Sequence, residues 1–112
     1  MIRSIVLGLT VSLGVAATAS AQDAAVTKGM QVFTDQKCSL CHSIGDKGNK
    51  KGPLDEVAST LSADDIRHWI VNSKEMMEKS GSTRKPAMKE FNLPKGDVDA
   101  LVAYLQTMKK KA

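Results

Sequence analysis

The chain is short of aromatic residues and of cysteine. Only 4% of its 112 residues are aromatic, namely Phe33, Trp69, Phe91 and Tyr104. That is a thin supply of bulk for a small domain, which buries a low fraction of its surface and often needs a staple. Two cysteines exclude an iron–sulfur cluster held by four thiolates. They also leave a zinc finger without ligands, since His42 and His68 do not have the H-x3-5-H spacing. No segment of useful length carries a strand period, and there is no internal repeat. A nucleophile–base pair, a Gly-rich phosphate loop and a pair of catalytic carboxylates are all missing, so the chain is not read as an enzyme. The formal charge is +4, yet no basic helix or aromatic platform accompanies it, which argues against nucleic-acid binding.

Both cysteines fall within five residues, Cys38-Ser39-Leu40-Cys41-His42. This C-x-x-C-H spacing is that of a c-type haem attachment site. Two thiols separated by two residues can reach two substituents on one edge of a flat macrocycle and bind it through thioether bonds. The imidazole that follows can turn under the ring and take the iron from one face. A thioredoxin-like motif needs a strand–helix context, and here a helix comes first. A plain disulfide would close a loop of two residues and restrict the unfolded chain very little. A buried haem would also supply the apolar bulk that the aromatic count lacks.

Residues 1–21 read as a secretory signal peptide, with Arg3 as the basic head, an apolar run from Ile5 to Ala17, and Ala19-Ser20-Ala21 as an A-x-A cleavage site. The run is too short to span a bilayer comfortably, where about 20 apolar residues are needed. Cleavage leaves residues 22–112, a single domain of roughly 90 residues. The predicted location is the periplasm, with no stable membrane insertion after cleavage.

The predicted architecture is helical. Val26, Gly29, Met30 and Phe33 form an amphipathic stripe on a helix from about Ala24 to Gln36. Residues 46–54 read as loop, with Gly48, Gly52 and Pro53. Ser62-Ala63-Asp64-Asp65 resembles a capping box, with Leu61 and Ile66 as a hydrophobic staple. The helix it opens carries Ile66, Trp69, Ile70, Ser73 and Met77 on one face and ends before Gly81. After an irregular stretch, a last helix from about Lys95 to Met108 buries Val98, Leu101, Val102, Leu105 and Met108. The two terminal helices should pack together, with Gly29 allowing close approach and Phe33 and Tyr104 as the aromatic seam.

Among the methionines, Met30, Met77 and Met108 lie on helix stripes and read as packing residues. Met88 differs, because it sits in a loop two residues after Pro86, where no periodic pattern needs an apolar group. It is the preferred second iron ligand, ahead of Met76 or Met77. His68 points away from the apolar stripe and reads as a solvated helix histidine, with a bis-histidine site as the sharper alternative.

Taken together, the Gly29…Phe33 helix, the Cys38–His42 motif, Gly52-Pro53-Leu54, Arg84-Lys85-Pro86-Ala87-Met88 and the terminal Leu101…Tyr104-Leu105 helix resemble the class I (monohaem) cytochromes c of the small, bacterial, secreted type. The resemblance covers the whole region after the signal peptide. It implies an all-α cytochrome c fold, three main helices plus short ones around one covalent haem c. It implies iron ligation by His42 and Met88, and a hydrogen bond from the His42 ring to the Pro53 carbonyl. Trp69 or Arg84 are implied as partners of a haem propionate.

With nitrogen and sulfur filling both axial positions, the iron would have no site for substrate, and one-electron transfer is the expected function. Lys37, Lys47, Lys50, Lys51, Lys85 and Lys89 flank the motif or the Met88 loop, and would steer the protein to redox partners with acidic docking surfaces. The leading reading is a soluble periplasmic electron carrier, monomeric or a subunit of a redox complex. Its alternatives are a haem subunit of a periplasmic dehydrogenase and an open-site haem sensor or enzyme. Mass spectrometry of the exported protein should show a chain that begins at Gln22 and carries one tetrapyrrole. Two unmodified thiols would overturn the reading.

Overall fold

A computed structural model describes Gly8 and residues 16–111. Most of the signal-peptide reading, residues 1–7 and 9–15, therefore lies outside the described residues. Five helices are described: α1 (Ala16–Asp35), α2 (Val57–Thr60), α3 (Ala63–Val71), α4 (Ser73–Ser80) and α5 (Lys95–Gln106). A single 3-10 turn, Cys38–Leu40, follows α1, and two short antiparallel strands, β1 (Ser43–Ile44) and β2 (Lys47–Gly48), form a small hairpin behind it. The all-α architecture holds; the hairpin overlaps the start of the loop expected over residues 46–54, and α2 is an addition in a stretch for which no element was expected.

The helix α1 begins eight residues before the expected start. Ala16, Ala17, Ala19, Ala21, Ala24 and Ala25 are strong helix formers, and they carry the helix back through the predicted cleavage site. At its other end Lys37 adopts a left-handed backbone, with φ 57°, which turns the chain out of the helix and into the cysteine motif.

The helices α1 and α5 form the most extensive contact of the fold. A side chain at Gly29 would overlap the Ala100 carbonyl oxygen and the Tyr104 Cβ, so only glycine permits this approach. One helical turn on, Phe33 and Tyr104 meet edge to face, with ring centroids 5.9 Å apart. The core gathers Val32, Ile66, Ile70, Val98, Leu101, Val102 and Leu105, with Phe33, Leu54, Leu61 and Phe91 packed against it. Met30 does not join it. Turning Gly29 and Val32 inward leaves Met30 50% exposed, which corrects its place on the buried stripe. Met108 falls beyond the end of α5 and is half-buried.

The capping reading at Ser62 is confirmed, since its Oγ accepts the Asp65 N–H at 3.1 Å. The expected single helix from there to Gly81, however, is broken at Asn72. In a continuous helix the Lys74 N–H would bond to the Ile70 carbonyl. Here that carbonyl accepts the Phe91 N–H at 2.9 Å, and the Lys74 N–H turns to Glu90 Oε1 at 3.4 Å. The irregular segment before α5 thus inserts its own polar groups into the helix ladder and divides it.

Replacing Gly29 with alanine sets a gain in helix propensity of about 1 kcal/mol against overpacking of about 1–3 kcal/mol. The obstacles are another helix's backbone and a Cβ, which cannot swing aside, so a net loss of about 1–2 kcal/mol is expected in denaturant unfolding of the haem-loaded protein. A Gly29→Ala variant as stable as its parent would refute the close approach.

Candidate functional site

The cysteine motif is held by its own backbone and by the loop that follows. The Cys38 carbonyl accepts the N–H groups of both Cys41, at 3.2 Å, and His42, at 2.9 Å. The chain then runs through the hairpin and returns beside the motif. Asn49 donates its side-chain amide to the Leu40 carbonyl at 3.1 Å and its backbone N–H to the His42 carbonyl at 3.0 Å. Ser43 pairs in parallel with Pro53: its N–H bonds the Gly52 carbonyl at 3.1 Å, and its own carbonyl accepts the Leu54 N–H at 2.9 Å.

This pairing decides where the His42 ring finds its partner. Successive carbonyls of an extended strand point to opposite sides. The Gly52 carbonyl faces the motif, so the Pro53 carbonyl faces away. The ring Nδ1 of His42 accordingly lies 3.0 Å from the Gly52 oxygen. Pro53, expected to supply that carbonyl, is exposed and does not line the site, and the assignment moves back by one residue. A carbonyl can only accept, so Nδ1 carries the proton and Nε2 keeps its lone pair for a metal. Burial holds the imidazole below its ordinary pKa; the Gly52 bond opposes that shift, and the Arg84 charge adds to it.

Arg84 closes the site from the other side. Its guanidinium donates to the Cys41 carbonyl. A side chain at position 52 would overlap both groups, which is why glycine stands there. The segment carrying Met88 is thereby tied to the segment carrying His42.

Cys38, Cys41, His42 and Met88 all line one cavity of about 540 Å³. Its walls come from the core itself, with Phe33, Leu54, Leu61, Ile66, Ile70, Leu101 and Leu105 facing it. The two thiols are unbridged, and burial pushes that of Cys38 up to about 11. Trp69, Arg84 and Met77 also line the cavity, whereas Met30, Met76, Met108 and His68 do not. His68 is exposed, as its position off the stripe predicted. A large apolar space with few polar groups, two thiols on its wall and an imidazole presenting a free nitrogen fits a flat macrocyclic cofactor with a central metal.

Residues 26–109 match the Cytochrome c family. The chain belongs to the cytochrome c family. No curated protein and no solved structure gives a significant match. Cytochromes c carry a covalent haem c and transfer electrons through its iron, and Cys38 and Cys41 stand where that attachment needs them. In this cytochrome one residue of the site escaped sequence reading: Gly52 as the acceptor for His42, which depends on strand pairing over a loop.

Proposed function

We propose that this cytochrome is a soluble, monohaem, periplasmic one-electron carrier of class I, with His42 and Met88 binding the iron from opposite faces. The observation that carries the reading is the convergence of both thiols, the His42 ring and Met88 on one cavity. When bound there, haem iron supplies a one-electron couple. The chain does the rest. Cys38 and Cys41 would hold the ring covalently, Gly52 orients the His42 imidazole, and the apolar walls would keep water from the metal. Two protein ligands leave no position for substrate, which favours a carrier over a sensor or an enzyme. Residues 1–21 serve for export, and among the described residues no helix is long and apolar enough to cross a membrane.

The partners are redox proteins with acidic surfaces. Lys37, Lys47, Lys50, Lys51, Lys85 and Lys89 are all exposed, and Lys37 and Lys89 stand on the rim of the cavity. Leu40, 70% exposed on the same rim, gives an apolar centre to a basic surround. Such an arrangement steers encounter by charge and seats the partner by apolar contact.

Replacing Met88 with alanine should abolish the long-wavelength iron–sulfur band of the oxidised protein. It should also let the reduced protein bind carbon monoxide, which the parent should not do at neutral pH. A band that persists would move the ligand role to Met77, the other methionine of the cavity. Electron transfer to an acidic partner should slow steeply as salt rises, because exposed charges are screened within about 8–10 Å at 0.10–0.15 M. A flat response would remove the steering role from the lysines.

A further inference from the structure

We propose that Ser73 is a positioning residue for the Met88 sulfur, an inference that rests on the reading of Met88 as an iron ligand. Ser73 is the first residue of α4 and is 0% exposed. A hydroxyl so deeply buried is costly unless it is bonded. Its Oγ donates to the Met88 carbonyl at 2.8 Å.

Met88 lies in a stretch with no regular structure, so no helix or strand ladder sets the direction of its side chain. What holds the stretch is the break between α3 and α4. The Phe91 N–H bonds Ile70 and the Glu90 carboxylate takes the Lys74 N–H, while Met88 itself is gripped by Ser73. Of these three contacts, only the last acts on the residue that carries the sulfur. It fixes the Met88 peptide plane and hence the origin of the thioether chain. Without it, the sulfur keeps the same apolar surroundings but loses the anchor that returns it to the same place after each excursion.

Imidazole titration of the oxidised, haem-loaded protein tests this, because imidazole competes with the sulfur for iron. The Ser73→Ala change should lower the imidazole concentration needed to displace the sulfur by about two- to tenfold, the range set by one ordinary hydrogen bond. In a Met88→Ala background the same change should leave imidazole affinity unmoved, since no sulfur remains to be displaced. Equal shifts in both backgrounds would mean that Ser73 shapes the cavity rather than the ligand, and would overturn the proposal, as would no shift in either. An iron–sulfur band that survives Met88→Ala is a separate outcome, and it removes the ligand reading on which the inference stands.

Discussion

Ile66, Ile70, Leu101 and Leu105 pack against one another on one side and face a cavity of about 540 Å³ on the other. Protein interiors are close-packed, with few voids larger than a water molecule. A space of this size among core residues is therefore not one that side chains were meant to fill. The four aromatic residues and the large cavity are two aspects of one fact. The apolar bulk that the sequence omits is supplied by a cofactor, and the two cysteines keep that bulk from leaving.

Apolar packing sets the volume of such a site but not its angles, because the hydrophobic effect has no direction. Direction comes from hydrogen bonds to the backbone. The Gly52 carbonyl faces the motif because Ser43 pairs with Pro53, and it fixes both the tautomer and the tilt of the His42 ring. Asn49 pins the motif loop at Leu40 and His42. Glycine is required at position 52 because two polar groups converge on the space its side chain would take. These contacts involve ordinary loop residues, yet they determine which nitrogen of His42 keeps a free lone pair.

What could be read from the sequence follows this same division. Helix faces obey a fixed period, so Val98, Leu101, Val102 and Leu105 of α5 were visible in advance, though not Ala100, and Met108 falls outside the helix; the capping serine of α3 and the close approach at Gly29 were also visible. The Cys38–His42 motif was legible because its chemistry depends on spacing within one turn of chain. The break at Asn72 was not, since residues 63–80 have the pattern of a single helix and the interruption comes from Glu90 and Phe91, distant in sequence. Pro53 was one residue off for a related reason: the direction of a carbonyl depends on which strand it pairs with. Met30 was misplaced because Gly29 and Val32, not the larger methionine, set the rotation of α1 against α5.

The two sides of the site are carried by segments more distant in the chain than any local signal can span. His42 follows α1, and Met88 precedes α5. The fold joins them directly through Arg84 on the Cys41 carbonyl, and it anchors the Met88 side to α4 through Ser73 on the Met88 carbonyl. Both ties grip backbone carbonyls and leave the His42 ring and the Met88 thioether untouched. The divided helix serves the same segment. The Ile70 carbonyl and the Lys74 N–H give up the bond they would share in a continuous helix and bond instead to Phe91 and Glu90. The ladder is interrupted at Asn72, and the segment before α5 gains a hydrogen-bonded seat beside the cavity.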